Sequence, residues 1–226
     1  MSINTSITPY TLHIPQTELD DLKQRLVNTR WPDRETVGDT SQGPQLYKIK
    51  ALVEHWATSY DWRQTEALLN GWGQYTTTID GLNIHFLHIR SAVPEARPLL
   101  LTHGWPGSVL EFRHVVGPLT DPEAYGGAAE DAFHLVIPSL PGFGFSGKPT
   151  EPGWNLNRTA KAWATLMQRL GYTNWFAQEG TSALPSPRNS PRSRHLKASA
   201  SPASTSTWLC SCPPMPRPVQ PLRKSR

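Results

Sequence analysis

Pro98-Leu99-Leu100-Leu101-Thr102-His103-Gly104-Trp105-Pro106-Gly107-Ser108 sets the frame in which the rest of the chain is read. A short apolar run without alternation is the pattern of a strand buried on both faces. It breaks at a turn containing two glycines and a proline, and helical spacing resumes around Val109–Val116. A glycine-rich turn at the C-terminal end of a parallel strand exposes backbone N–H groups toward a cleft, and such donors can hold an oxyanion. An ordinary tight strand-to-helix turn uses the same residue types, so this stretch alone leaves both readings open.

Downstream the pattern repeats. Phe133-His134-Leu135-Val136-Ile137 is a second buried-type strand, and Asn157–Leu170 is an amphipathic helix with Ala160, Trp163, Ala164, Met167 and Leu170 on one side. Trp175-Phe176-Ala177 begins a further strand. Strands alternating with helices predict an α/β fold with a parallel sheet covered by helices. Upstream, Tyr75–Ile79 is β-branched, Asp80-Gly81 is a favoured hairpin turn, and Leu82, Ile84 and Phe86 alternate with polar residues. His85 and His88 lie on the second arm. Residues three apart on a strand point to opposite faces, so the pair does not chelate one metal ion.

Before Tyr75 the period is helical. Thr17 is placed to cap a helix with Asp20 at its third position and Leu19, Leu22 and Leu26 on one face. Trp31-Pro32 ends it, because the residue before proline disfavours helix. Leu46, Ile49, Val53, Trp56 and Tyr60 recur at helical spacing, and Asp61 with Gln64 resembles a capping box for a third helix through Leu69. Trp56 and Trp62 are expected in the core.

Gly142-Phe143-Gly144-Phe145-Ser146-Gly147 matches the dinucleotide fingerprint G-x-G-x-x-G. Its context is wrong: Lys148-Pro149 and Glu151-Pro152-Gly153 follow instead of a helix, and no acid stands about 20 residues on to hold a ribose. The motif reads as a strand-to-helix loop, and no cofactor is expected.

The net charge of +4 is unevenly shared. Residues 1–178 hold 14 Lys and Arg against 17 Asp and Glu, whereas residues 179–226 hold 8 against the single Glu179. The first part is mildly acidic and gives no electrostatic reason to bind nucleic acid. Both cysteines, Cys210 and Cys212, lie after the break, so residues 1–178 hold no disulfide framework or thiolate metal site. Neither a secretory leader nor an apolar run of the roughly 20 residues that span a bilayer is visible. A cytoplasmic location is the expectation.

Taken together, several stretches resemble one family. They are Ile14-Pro15-Gln16, Leu19-Asp20-Asp21-Leu22, Thr29-Arg30-Trp31-Pro32, Tyr60-Asp61-Trp62-Arg63, Ile79 to Phe86, Leu101 to Ser108, and Pro138 to Ser146. They are similar to the epoxide hydrolases of the α/β-hydrolase fold that carry an extra N-terminal helical domain, the microsomal-type branch. The resemblance covers about residues 8–178. It implies an N-terminal helical domain over residues 1–74 and the first part of an α/β-hydrolase domain over 75–178, while the Ser/Pro/Arg-rich composition of 179–226 predicts a disordered tail. It also implies a small-molecule epoxide as substrate, no metal and no cofactor.

The mechanism implied by the resemblance is nucleophilic. An aspartate on a strand-to-helix elbow attacks an epoxide carbon and forms an ester, two lid tyrosines assist the leaving oxygen, and a histidine oriented by an acid activates water. The His103-Gly104-Trp105-Pro106 segment is implied as the oxyanion site, with the backbone N–H of Trp105 as donor.

The resemblance stops inside the elbow. The family turn is of the type Gly-Gly-Asp-aromatic-Gly-Ser, whereas this chain reads Glu179-Gly180-Thr181-Ser182-Ala183. Thr181 takes the place of the aspartate, and His195, the one histidine after the break, has no family context around it. The genetic code allows Glu179–Pro185 to be read one base out of frame as the motif: one choice of synonymous codons, GAG GGG ACT TCG GCT CTG CCG, becomes GGA GGG GAC TTC GGC TCT GCC with one G restored in front, or Gly-Gly-Asp-Phe-Gly-Ser-Ala. Residues 179–226 are expected to be a frameshifted reading without regular structure, the alternatives being a natural disordered segment and a non-catalytic fragment or binding protein with a basic tail; either way the Trp175–Ala177 strand is left as an unprotected apolar edge.

Overall fold

The computed structural model describes residues 5–179 and, for the backbone, 195–199. They fall into two compact units, Ser6–Thr77 and a larger one from Thr78 onward.

The smaller unit holds strand β1 (Thr8–Tyr10), helices α1 (Gln16–Val27), α2 (Leu46–Thr58) and α3 (Trp62–Gly71), and most of β2 (Gln74–Ile79). β1 pairs antiparallel with β2, Pro9 opposite Tyr75. Between β1 and α1 the extended chain has no strand partner, and side chains of α3 satisfy its backbone instead. Asn70 accepts from the Leu12 N–H at 2.8 Å and donates to the Leu12 carbonyl at 2.9 Å. Glu66 accepts from the Ile14 N–H, and Arg63 donates to the Ile14 carbonyl at 2.9 Å and to Glu66 at 2.6 Å. Leu12 is thereby buried. The Ile14 hydrogen bond, helped by Arg63, holds the Glu66 carboxyl below its ordinary range.

Four local expectations are corrected. Thr17 lies inside α1, whose first turn is closed by the Pro15 carbonyl, and Asp20 accepts from Gln16 Nε2. The helix ends at Val27, before Trp31, and the Thr29 hydroxyl donates to the Leu26 carbonyl at 2.7 Å. Asp61 does cap α3, but through the Arg63 N–H at 2.9 Å. Trp56, expected in the core, is 42% exposed.

In the larger unit the end of β2 turns at Asp80 (φ 50°) and Gly81 (φ 77°) into β3 (Leu82–Ile89). Positive φ at both central residues is what a two-residue hairpin turn requires, as Asp-Gly predicts. β4 (Arg97–Thr102) lies parallel to both β5 (Phe133–Pro138) and β6 (Asn174–Glu179), while β3 runs antiparallel to β5. The order across this part of the sheet is β3-β5-β4-β6. Ile84, Phe86, Leu101, Leu135 and Ile137 are almost fully buried. Arg97 lies against the rings of Phe133 (4.9 Å) and Phe176 (5.4 Å), one from each strand flanking β4.

Between Ser108 and β5 the chain forms a 3-10 turn (Val109–Phe112) and a short helix α4 (Val116–Thr120), where the spacing predicts one continuous helix. α5 (Leu156–Arg169) is capped by Asn155, whose side chain accepts from the Arg158 N–H. Its buried stripe is Ala162, Trp163, Leu166 and Met167. Ala160, expected inside, is exposed. Two large anchors, Trp163 and Met167, fit either phase, and the sheet selects the one that also buries Leu166.

The expectation of an open edge at β6 is corrected. His195–Ser199 form β7, antiparallel to β6 with Gln178 opposite His195 and Asn174 opposite Ser199. The outer edge of β6 is therefore paired along Asn174–Gln178, and the Trp175–Ala177 strand is not an open edge. Thr181 and the rest of the tail lie outside the described residues.

His85 is fully buried, and burial lowers its pKa to about 4. Its Nδ1 meets the Ser139 hydroxyl at 2.9 Å. His88 instead reaches the Tyr172 hydroxyl at 2.9 Å, and burial, with Arg90 and His134 nearby, lowers it to about 4 as well.

Two outcomes follow for folding. Glu66→Ala strands the Ile14 N–H and should lower stability by about 1–3 kcal/mol, read from thermal unfolding. For His85 the folded-state value lies below the ordinary 6.5, so the unfolded chain takes up more protons between these values. Stability from neutral His85 is complete above about pH 6.5 and is lost as pH falls toward 4. Urea unfolding at pH 7 and 4.5 should differ by on the order of 2 kcal/mol from this residue, and His85→Gln should remove that part.

Candidate functional site at the strand ends

β4, β5 and β6 are parallel, so their C-terminal ends lie at one edge of the sheet, with Thr102 in register with Glu179. Two loops leave this edge, His103–Ser108 after β4 and Ser139–Gly147 after β5. The chain also leaves β6 here, two residues before Thr181.

His103 joins the two loops. It is 1% exposed, although it lies in a turn. Its Nε2 accepts from the Leu140 N–H at 3.0 Å, and its Nδ1 lies 2.9 Å from the Gly104 carbonyl. A backbone N–H only donates, so Nε2 is the unprotonated nitrogen and Nδ1 carries the hydrogen given to Gly104. The Phe143 ring meets the imidazole edge-on with centroids 6.1 Å apart. The sequence singles out His103 for its place in the motif and gives no sign that its partner would be 37 residues away.

Trp105-Pro106 is a cis peptide, and the Trp105 side chain is 61% exposed. The Trp105 N–H makes no hydrogen bond among the described residues. Gly107 has no room for a side chain: an added Cβ would overlap Glu111 Oε1 and stand 2.8 Å from the Gly104 carbonyl. Glu111 is drawn there by the cap of the next turn. The Ser108 hydroxyl accepts from the Leu110 N–H, and Glu111 reaches back to the Ser108 N–H at 3.2 Å. The Ser108-x-x-Glu111 spacing is the readable signal for that box.

The second loop is anchored from below. The Ser146 hydroxyl donates to the Ser139 carbonyl at 2.8 Å and accepts from the His85 N–H at 3.0 Å. The Ser139 N–H donates to the His85 carbonyl at 2.9 Å, and the Gly147 N–H to the Asn83 carbonyl at 2.7 Å. Gly144 has φ 52°, and a Cβ there would stand 2.9 Å from the Ser139 hydroxyl. The glycines of this stretch serve a folded loop stitched to β3. No helix begins at the loop, which is the context a dinucleotide site requires. Among the described residues no group of three or more His, Cys, Asp or Glu is placed to hold a metal ion. No described helix is long and apolar enough to cross a membrane.

Thr102 stands out among the described residues of the strand ends. Its hydroxyl is buried without a hydrogen-bond partner, immediately before His103 and beside Glu179. Glu179 itself is exposed.

Comparison with known proteins places this arrangement. Residues 7–112 match the family model for the epoxide hydrolase N terminus, and residues 97–178 match that for the alpha/beta hydrolase fold. A candidate epoxide hydrolase of Stigmatella aurantiaca (strain DW4/3-1) is 63% identical over 174 residues, which are 77% of this chain and 40% of that protein. The crystal structure of the juvenile hormone epoxide hydrolase of the silkworm Bombyx mori superposes with a TM-score of 0.70 at 34% identity, covering 79% of this chain and 42% of that one. The Aspergillus niger epoxide hydrolase gives 0.67 at 34% identity, covering 79% and 47%. The chain thus spans about 40% of the length of the Stigmatella relative. Over residues 7–178 the chain belongs to the epoxide hydrolases of the α/β-hydrolase fold.

Proposed function

We propose that residues 7–178 are built for opening an epoxide to a vicinal diol through an enzyme-bound ester, and that the chain as written does not carry out this reaction. The observation that supports the first part is the free Trp105 N–H. It stands in a loop fixed by His103 and Gly107, at the edge of the sheet where β4 and β6 end with Thr102 in register with Glu179.

In the intact reaction a carboxylate oxygen bonds to an epoxide carbon while the ring C–O bond breaks. The departing oxygen needs a proton, because an alkoxide is a poor leaving group near neutral pH. Water then attacks the ester carbonyl, and negative charge grows on the carbonyl oxygen. A donor already in place stabilises that charge without having to reorganise, and this is the role we assign to the Trp105 N–H. Because its Nδ1–H is committed to Gly104 and its Nε2 to Leu140, His103 acts as the brace of the loop. The water-activating base lies elsewhere.

The second part rests on Thr181. A threonine hydroxyl is not ionised near neutral pH, and it replaces the carboxylate whose negative charge makes the first step possible. We further propose that Glu179–Arg226 is an out-of-frame reading, since the residues Glu179–Pro185 are compatible with codons that one added base turns into Gly-Gly-Asp-Phe-Gly-Ser-Ala.

The nucleotide sequence tests the frame directly: the reading fails if no single-base correction gives both this elbow and a long open frame. The chain as written and the corrected chain should then be assayed for diol formation from a panel of epoxides. The corrected chain should turn over and the written chain should not; turnover by the written chain would mean that the nucleophile lies elsewhere. In the corrected enzyme, His103→Ala should lower kcat by about 10- to 100-fold with a smaller change in KM, since misplacing a transition-state donor by about 1 Å has effects of that order.

A further inference from the structure

The chemistry leaves one buried titratable residue of the larger unit unused, His85. It stands in the middle of β3, is fully buried, and is neutral at pH 7 because burial lowers its pKa to about 4. Its backbone and its ring both meet the loop that follows β5. The His85 N–H donates to the Ser146 hydroxyl at 3.0 Å, and its carbonyl accepts from the Ser139 N–H at 2.9 Å. Its Nδ1 lies 2.9 Å from the Ser139 hydroxyl, and the Phe145 ring meets the imidazole edge-on with centroids 5.1 Å apart. The backbone bonds alone would hold the loop against β3. The ring bond is a further constraint, and it falls on the residue before Leu140.

Leu140 passes that constraint on. Its N–H donates to His103 Nε2 at 3.0 Å, the His103 Nδ1–H goes to the Gly104 carbonyl at 2.9 Å, and the unpaired Trp105 N–H comes next. His85, Ser139, Leu140, His103, Gly104 and Trp105 thus form a route that is continuous in covalent and hydrogen bonds. Water does not stand in for its members, because His85, Ser139 and His103 are each 1% exposed or less. Slack is small as well, since a Cβ on Gly144 would stand 2.9 Å from the Ser139 hydroxyl. In a closed network of this kind, losing one partner leaves the other unpaired at a cost that the backbone moves to relieve.

We propose that His85 is a positioning residue for the epoxide-opening reaction, fixing the Trp105 N–H through Ser139, Leu140 and His103. It touches neither the substrate nor the reacting atoms. The proposal rests on the reading of the Trp105 N–H as the oxyanion donor, and on no residue after Glu179. A role for His85 confined to stability would act on the whole unit and would not single out the turn from His103 to Gly107.

The first test uses the 226-residue chain and reads hydrogen exchange of the Leu140 amide by NMR. His85→Phe keeps a ring in the core without the nitrogen, and it should speed this exchange about tenfold relative to the amides of Leu166 and Met167 in α5. His85→Asn, which keeps a polar atom near the place of Nδ1, should return it to within about twofold of the unaltered chain. Ser139→Ala removes the other end of the bond. It should match His85→Phe, and it replaces that variant if His85→Phe does not fold. The second test uses the corrected chain. There His85→Phe should lower kcat about fivefold with little change in KM, and His85→Asn should recover most of the loss. Added to His103→Ala, His85→Phe should cost less than about twofold more, because the route is already cut. An unchanged Leu140 amide overturns the proposal, as does acceleration shared equally with α5, and so do kcat losses that add in full to that of His103→Ala. If the corrected chain does not turn over, the epoxide-opening reading fails on its own, and the exchange result alone decides whether His85 positions the turn.

Discussion

The hydrogen bond from the Leu140 N–H to Nε2 of buried His103 joins the two loops on which the candidate site stands. It fixes the tautomer of the imidazole, and the tautomer directs Nδ1–H to the Gly104 carbonyl. With both ring nitrogens engaged, the turn from His103 to Gly107 has little freedom, and the Trp105 N–H is left unpaired at the sheet edge. The neighbouring contacts serve the same end. Gly107 lets the backbone pass Glu111, and Ser139 and Ser146 tie the second loop to β3 around His85.

The smaller unit is organised on a different principle. A strand segment without a strand partner is held by Asn70, Glu66 and Arg63, which supply the donors and acceptors that a neighbouring strand would supply. This arrangement places charged groups in half-buried positions, each paired by geometry rather than by chance proximity. The apolar faces of α1 and α2 receive no such completion. No residue of either helix is buried.

Much of the fold was legible because its signals are local. The Asp80-Gly81 turn, the buried strands at β4 and β5, the cap at Asp61 and the helix after Asn155 follow from side-chain period and backbone preference. The errors are equally specific. Thr17 looked like a cap, but Pro15 already closes the first turn. α5 has aromatic and methionine anchors compatible with two phases, and only the sheet chooses between them. Trp56 is large and apolar, and the rule that such residues are buried assumes that the covering surface is present. β7 arises in a stretch whose composition carries no strand signal, because strand pairing depends on a partner edge as well as on propensity.

By itself the sequence determined the family. It also showed that the G-x-G-x-x-G stretch is not followed by the helix a dinucleotide needs, and that the composition changes at Glu179. These are properties of residue order, and they do not depend on where distant parts of the chain meet. Tertiary structure alone decided which nitrogen of His103 bears the proton, that its partner is Leu140, why Gly107 must be glycine, and that the α1–α2 face stands open. Each of these is a matter of what lies across a gap of a few ångströms between residues far apart in the chain. Hydrogen bonding and burial are set by that distance, which residue order does not carry.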